Sequence, residues 1–344
     1  MAAEYRFSFG PWNIHTGADP FGPEVRPEVP FARKVELCRE LGFQAMQFHD
    51  DDAVPEPESK TPAQLQKAAA EVRKVLEGEG LAAEFVAPRL WEHPMGIDGG
   101  YTANDPAVRE WAVERSKKAI DVARGLGTKL IVLWLAREGT YVRESKNAID
   151  AHKHLLEGIN AMLAYDDGIE IAIEPKPNEP TDHAYVPTIG HALAVAAQAS
   201  HPTRVGGLIE TAHAILAGLD PSDEMAFALS AGKLWSVHLN DQNGLKFDED
   251  KAFGMANLRS AYNQVRVLEL AGYADSGRYV GLDVKAMRTQ KPDVAYRHLS
   301  NSRRVFLALV DKVRSFDRKL EAQCIADRDY EALEMAVTEH LMGL

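Results

Sequence analysis

The feature of this sequence that most constrains its fold is a regular alternation of short apolar segments with longer amphipathic ones. Eight apolar runs predict strands, at residues 5–9, 45–48, 82–86, 129–133, 169–173, 205–208, 234–238 and 279–282. Helical patterns lie between and after them, at residues 31–41, 62–78, 106–126, 144–164, 189–199, 223–231, 257–271 and 292–313. Mostly apolar strands are typical of a parallel sheet covered by helices, and eight such units favour a closed barrel over an open sheet. The sequence therefore predicts an α/β fold, a (β/α)8 TIM barrel, over residues 1–314.

The segment 315–344 has a different character, because it is charged, has a helical pattern and is followed by no strand. It predicts a C-terminal helical extension that covers the barrel or packs against a neighbouring subunit. We therefore expect a homodimer or homotetramer.

The amino-acid composition limits which kinds of partner the protein can bind. The formal net charge of −12 argues against a nucleic-acid or membrane surface, both of which attract clustered Lys and Arg, so we expect a small-molecule ligand. The two cysteines, Cys38 and Cys324, are too few for a disulfide framework, and residues 1–6 contain no apolar signal core. These features predict a cytoplasmic protein. The segment Phe9-Gly10-Pro11-Trp12 after the first strand lacks a glycine-rich dinucleotide fingerprint, which disfavours an NAD-binding fold.

Carboxylates and histidines follow four of the predicted strands, at the end of a TIM barrel where functional side chains gather. They are Glu174, Glu210, His213, His238, Asp248, Asp250 and Asp283. An acidic loop after a single strand is more often a solvated turn, but the repetition at strands five to eight favours a metal site. One divalent ion takes about six ligands including waters, so this set indicates two ions that share a carboxylate such as Glu210. Oxygen-rich ligation with two imidazoles favours Mg, Mn or Co over a structural zinc.

Three other kinds of residue near strand ends point to chemistry on a ligand. His49 is followed by a run of aspartates, and a histidine beside a carboxylate can move a proton near neutral pH; a solvated acidic loop is the alternative. Lys176 follows Glu174 by two residues, which fits either a catalytic pair or a structural ion pair. The tryptophans just beyond strands one, three and four can stack on a sugar or belong to the core. They are Trp12, Trp91 and Trp134.

The order and spacing of these motifs resemble the xylose isomerase family. The matching motifs are His49-Asp50-Asp51-Asp52, Glu174-Pro-Lys176-Pro-Asn-Glu-Pro180, Glu210-Thr-Ala-His213, Lys246-Phe-Asp248-Glu-Asp250 and Asp283-Val-Lys285. Further matches are Asp19-Pro-Phe21-Gly22, Asp98-Gly-Gly-Tyr-Thr-Ala-Asn104-Asp105, Trp134 with Arg137-Glu-Gly139, and Pro187-Thr-Ile-Gly-His191. The resemblance covers residues from about Phe9 to Arg314.

The resemblance implies a metal-dependent aldose–ketose isomerase, acting on D-xylose and D-glucose by a hydride shift, with two divalent cations per subunit. It implies that Glu174, Glu210 and Asp283 hold the first ion, and that Glu210, His213, Asp248 and Asp250 hold the second. It also implies catalytic roles: His49, oriented by Asp52, assists ring opening, and Lys176 donates to the carbonyl-side oxygen. Trp91 takes the place of the family's aromatic wall residue, and Phe21 is implied to enter the site of a neighbouring subunit.

The sequence departs from the family at several positions. His238 stands where the family has an aspartate ligand, and His238-Leu-Asn-Asp241 is similar to L-rhamnose isomerases, which also have a histidine there. Ala87, Pro88 and Arg89 replace the polar residues that the family offers to distal sugar hydroxyls, and residues 15–18 are an insertion. Two alternatives therefore stay open: isomerisation or epimerisation of another sugar by proton transfer, and a catalytically inactive sugar-binding barrel.

Overall fold

The computed structural model describes residues 4–244 and 247–344, and its centre is a closed barrel of parallel strands. The barrel strands are β1 (Arg6–Phe9), β2 (Ala45–His49), β3 (Ala82–Ala87), β4 (Leu130–Trp134), β6 (Glu170–Glu174), β8 (Val205–Glu210), β9 (Leu234–Leu239) and β10 (Tyr279–Leu282). They are hydrogen-bonded in the order β1-β10-β9-β8-β6-β4-β3-β2. Each of the eight predicted strands falls on one of them, which confirms the predicted TIM barrel. Outside the barrel, β5 (Gly139–Thr140) pairs in antiparallel fashion with β7 (His183–Ala184).

Helices follow the barrel strands and cover their outer face. The helices are α1 (Phe31–Glu40), α2 (Asp50–Ala53), α3 (Pro62–Gly78), α4 (Pro106–Leu126), α5 (Ala148–Tyr165), α6 (Ile189–Gln198), α7 (Thr211–Leu216), α8 (Pro221–Ser230), α9 (Leu258–Leu270), α10 (Arg297–Ser315), α11 (Arg318–Asp327) and α12 (Tyr330–Met342). The prediction started α5 too early, because the Asn147 side chain caps it by accepting a hydrogen bond from the Ile149 amide at 3.1 Å. It also started α10 too early, because Pro292–Val294 forms a separate 3-10 turn.

The C-terminal extension packs on the chain's own barrel. Arg266 on α9 pairs with Glu321 on α11 at 2.5 Å, and the His340 ring on α12 lies 2.8 Å from the Lys312 carbonyl on α10. The extension is therefore helical, as the sequence predicts, and covers α9 and α10. Its part in an oligomer stays a prediction. None of the helices within residues 4–244 and 247–344 combines the length and apolar character that a membrane span requires.

An aromatic cluster fills the space between the barrel strands and α10. The fully buried Phe306 ring packs edge to face against Tyr5 and Phe7, with ring centroids 4.9 and 5.4 Å away. Such pairs add to the free energy gained by burying the rings themselves.

We expect Phe306→Ala to lower the free energy of unfolding by about 3 to 5 kcal/mol, because it leaves a cavity among rings that cannot collapse into it. Urea denaturation followed by circular dichroism measures this difference. Phe227→Ala on α8 is the matched control, because that ring is 54% exposed. Equal losses of stability in the two variants would contradict the packing described here.

Candidate active site

A cavity of about 560 Å³ opens at the C-terminal ends of the barrel strands. Its lining includes every predicted site residue except Asp52 and Phe21. Glu174 ends β6, Glu210 ends β8, His238 is the penultimate residue of β9, and Asp283 follows β10. Parallel strands of a closed barrel end at one rim, so residues more than 100 positions apart come together there.

Three overlapping groups of side chains in this cavity have the spacing of metal ligands. They are Glu174 with Glu210 and His213; Glu210 with His238 and Asp283; and Glu210 with Asp248 and Asp250. Within each group the ligand atoms lie no more than 4.8 Å from one another. Glu210 belongs to all three groups.

The short helix α7 explains how Glu210 and His213 meet. Glu210 occupies the N-cap position of α7, so His213 lies one turn further along the same face. The His213 Nε2 atom is 3.3 Å from Glu210 Oε1 and 3.1 Å from Asp248 Oδ2. The carboxylate and the imidazole therefore meet at the same side of the cavity.

The buried carboxylates differ in their electrostatic environment. Burial, together with the nearby Asp248 carboxylate, raises the pKa of Glu210 well above its usual range. Burial and Asp248 also raise the pKa of Asp250 well above its usual range, although Lys285 opposes them. Burial would raise the pKa of Glu174 as well, but His238 lies 3.0 Å away and helps to lower that pKa to about 2. At Glu210 and Asp250, burial and the neighbouring carboxylates thus outweigh the effect of the positive charge nearby.

The donor set fits divalent cations. Of the described residues that line the cavity, seven are carboxylates and three are Lys or Arg, so acidic groups predominate in the lining, as they do in sites for divalent cations. In addition, His238 Nε2 and Asp248 Oδ1 are buried and have no hydrogen-bond partner among the described residues. Buried polar atoms are rarely left without a partner, and both of these belong to residues of the ligand groups.

Lys176 projects into the same cavity from the segment after β6. Its Nζ atom lies 2.9 Å from Asp248 Oδ2, 3.2 Å from Glu179 Oε2 and 5.1 Å from the centre of the Trp134 ring. Burial opposes the charged form, but Asp248, Glu210 and Glu179 raise the pKa of Lys176 above its ordinary value. The side chain is therefore a permanent hydrogen-bond donor near neutral pH and is unsuited to act as a base.

On the other side of the cavity, His49 is held by a carboxylate. Its Nδ1 atom lies 2.9 Å from Asp52 Oδ2, and Asp52 also pairs with Arg89 at 2.7 Å. Burial would raise the pKa of Asp52, but His49 and Arg89 lower it below its ordinary range, so the carboxylate stays ionised. Asp52 thus lies behind His49 and outside the cavity lining.

Aromatic rings form a wall around His49. Trp12 and Trp91 pack on the imidazole with centroids 4.3 and 5.2 Å away, and Trp134 packs edge to face on Trp91 at 4.5 Å. Arg137 donates a hydrogen bond to the Trp91 carbonyl at 2.9 Å, which holds the segment that carries this ring. The three tryptophans line the cavity, and their contact with a sugar stays a prediction.

Two further residues orient the ligand groups, although the sequence motifs that contain them gave them no role. Asn240 donates to Glu210 at 2.9 Å and accepts from the Ala212 amide at 2.8 Å, and Lys285 donates to Asp250 at 2.8 Å. Asn240 follows His238 by two residues and Lys285 follows Asp283 by two residues, so the sequence places both near the candidate metal centre, where such partners orient the ligands.

Two predictions concern the loops above the cavity. Phe21 is 80% exposed and its ring lies 5.7 Å from Phe247 of the same chain, so its entry into a neighbouring subunit's site stays a prediction. Lys246, which forms part of the Lys246-Phe-Asp248-Glu-Asp250 motif, lies outside the described residues.

The fold and this cavity define a TIM barrel with a candidate metal centre at its C-terminal rim. The model of the family described as the xylose isomerase-like TIM barrel matches residues 35–288, and the chain belongs to this family.

Solved structures share the fold at low sequence identity. A xylose isomerase domain protein from Alicyclobacillus acidocaldarius is 14% identical, with a TM-score of 0.63 over 90% of this chain and 100% of its own. The 3-keto-D-glucoside 4-epimerase from E. coli is 15% identical, with a TM-score of 0.62 over 88% and 100%. The D-psicose 3-epimerase from Clostridium cellulolyticum H10 is 14% identical, with a TM-score of 0.56 over 91% and 98%. At these identities the likeness shows the fold alone.

Proposed function

We propose that this protein is a divalent-metal-dependent sugar isomerase that interconverts an aldose and a ketose. The reaction we propose is D-xylose to D-xylulose, with D-glucose to D-fructose as a second one. The observation that carries the proposal is that Glu210 belongs to all three ligand groups, an arrangement that suits two cations beside each other. The epimerases that share the fold support reactions on sugars in general, either isomerisation or epimerisation.

The residues of the three ligand groups would hold two cations, which would be Mg, Mn or Co. Glu174, Glu210, His238 and Asp283 would hold the first, and Glu210, His213, Asp248 and Asp250 the second. When bound, divalent cations supply Lewis-acid polarisation of the sugar oxygens at C1 and C2. Because carboxylates outnumber basic side chains in the cavity lining, an uncharged monosaccharide suits the cavity better than an anionic sugar.

The other residues of the cavity bind the sugar and move protons. Lys176 donates a hydrogen bond to the carbonyl-side oxygen, where negative charge develops as the C1–C2 bond system rearranges. His49, fixed by Asp52, transfers the proton that opening of the sugar ring requires. The tryptophan wall stacks on the C–H face of the sugar and excludes water from it.

An aldose that carries deuterium at C2 tests the reaction. In a hydride shift the label passes directly from C2 to C1, whereas a carboxylate base that forms an enediol exchanges the label with solvent. We expect the ketose product to retain most of the deuterium, measured by mass spectrometry and proton NMR. The reciprocal control is unlabelled aldose in D2O, where we expect no deuterium in the product.

Two outcomes of such assays would replace the proposal. Loss of the label to solvent would favour isomerisation or epimerisation by proton transfer. A protein that binds Mn²⁺ but turns over no pentose, hexose or deoxyhexose would be an inactive sugar-binding barrel.

A further inference from the structure

The segment after β1 contacts one of the residues of the ligand groups. The chain forms a short 3-10 helix there, Pro11–Asn13, and Asn13 is buried, with 1% of its surface exposed. The Asn13 Nδ2 atom donates hydrogen bonds to Asp283 Oδ1 at 2.8 Å and to the Val284 carbonyl at 3.0 Å. An amide nitrogen carries two protons, so both are used to hold the segment that contains Asp283.

Trp12 donates to the same carboxylate oxygen. Its Nε1 atom lies 3.0 Å from Asp283 Oδ1, so this oxygen accepts two hydrogen bonds, one for each of its lone pairs. No residue in 4–244 and 247–344 donates a hydrogen bond to Asp283 Oδ2. Asp283 lines the cavity and is only partly buried, so Oδ2 is the oxygen that remains for a ligand in the cavity.

Both donors are held in place by contacts that do not involve Asp283. Asn13 Oδ1 accepts a hydrogen bond from the Gly10 amide at 2.8 Å, and the His298 ring on α10 lies 2.8 Å from the Asn13 carbonyl. The Trp12 ring lies against the backbone of Gly10, where an added Cβ would be 2.2 Å from the ring atoms. Glycine at position 10 therefore allows the ring to take the orientation that directs Nε1 to Asp283.

The donors to Asp283 are also uncharged. Asp250, by contrast, pairs with the ammonium group of Lys285 at 2.8 Å. A neutral donor can orient a carboxylate without adding a positive charge that would repel a cation. The amide and the indole thus leave the charge of Asp283 available to an ion.

We propose that Asn13 and Trp12 are positioning residues for the first cation, because they bind Asp283 Oδ1 and turn Oδ2 toward the ion. The Trp12 ring also packs on His49, with centroids 4.3 Å apart, so one side chain orients both a cation ligand and the histidine assigned to ring opening. This inference rests on the proposed function, which places a cation beside Asp283.

Isothermal titration of the chelator-treated protein with Mn²⁺ tests the two donors. We expect two Mn²⁺ affinities in the wild-type protein, and Asp283→Ala identifies the one that depends on Asp283. Asn13→Ala, and Trp12→Phe, which keeps an aromatic ring beside His49, should each weaken that affinity by about 10- to 100-fold. The other Mn²⁺ affinity should change little, which also shows that the variants are folded.

Two further variants separate positioning from other effects. Gly10→Ala keeps both donors but displaces the Trp12 ring, so it should weaken the same Mn²⁺ affinity. Trp91→Phe is the matched control, because Trp91 also packs on His49 but donates no hydrogen bond to a ligand-group carboxylate among the described residues. This control should keep both Mn²⁺ affinities.

A double-mutant cycle tests whether Asn13 acts through Asp283. In the Asp283→Ala protein, Asn13→Ala should change neither the number of Mn²⁺ ions bound nor their affinities. A further loss in that background would show a general structural role and overturn the inference, as would unchanged Mn²⁺ affinities in both Asn13→Ala and Trp12→Phe. These results leave the proposed function intact, whereas a wild-type protein that bound no Mn²⁺ would overturn both.

Discussion

Replacement of Glu210 by glutamine is expected to remove both cations at once. Because this carboxylate lies in all three ligand groups, its replacement by a neutral amide removes a negatively charged ligand from each group. We expect turnover to fall by far more than the roughly 10- to 100-fold effect of losing an outer-shell partner of a metal site. Measurement of cation stoichiometry by titration with Mn²⁺, alongside kcat, checks this result.

The same substitution should raise the stability of the chelator-treated protein, from which the cations have been removed. Glu210 is buried with Asp248, Asp283 and Glu174 nearby, and these like charges oppose folding when no cation balances them. Glu210→Gln should therefore raise the melting temperature of the metal-free protein while it abolishes activity. Such an exchange of stability for function is common at active sites.

Glu84→Gln is the matched control for Glu210→Gln. Glu84 is a buried barrel carboxylate that accepts hydrogen bonds from Ser236 at 2.6 Å and Gln47 at 3.2 Å, and it belongs to none of the ligand groups. We expect this variant to keep the cation stoichiometry of the wild-type protein. A Glu210→Gln variant that still bound two cations would show that the shared carboxylate is not the bridge.

Lys176→Ala is expected to lower kcat by about a hundredfold or more, because a preorganised donor to a developing negative charge typically contributes that much. The loss should appear in kcat and not mainly in KM, because the interaction strengthens as the charge develops. Steady-state kinetics on D-xylose with saturating Mn²⁺ measure both constants.

Lys233→Ala provides a control, because it removes another lysine that lies over a tryptophan ring. Lys233 lies 5.2 Å from the centre of the Trp235 ring and donates to the Val205 carbonyl at 2.8 Å, but it is outside the sugar pocket. Turnover in this variant should be unchanged. If Lys176→Ala retained a tenth of the wild-type rate, Lys176 would be a structural partner of Asp248 and not a catalytic donor.

The barrel could be predicted from the sequence because its signals are local. Each strand is a short apolar run, and helices such as α3 begin at a capping residue, where Thr61 and Gln64 exchange hydrogen bonds. The sequence patterns did not predict the pairing of β5 with β7, because each of these strands is two residues long. The pairing depends on the barrel, which holds the two loops side by side.

The residues that gather at the candidate metal centre could be predicted from the sequence, but the contacts that support them could not. These residues follow apolar strands at recognisable positions, and a parallel barrel places those positions on one rim. Arg115 pairs with Asp50, 65 positions away in the sequence, and Lys176 pairs with Asp248, 72 positions away. No local sequence pattern predicts contacts between residues that are so far apart in the chain. From the sequence, Arg89 could be recognised only as a departure from the xylose isomerase family. In the structure it pairs with Asp52 and contacts His49.

The most direct test of the central claim is a crystal structure of the Mn²⁺-loaded protein with anomalous scattering data. We expect two manganese peaks at the rim of the barrel, with Glu210 as a ligand to both, His238 and Asp283 on one and His213, Asp248 and Asp250 on the other. A single peak, or peaks that do not share Glu210, would contradict the two-cation site on which the proposed isomerase reaction depends.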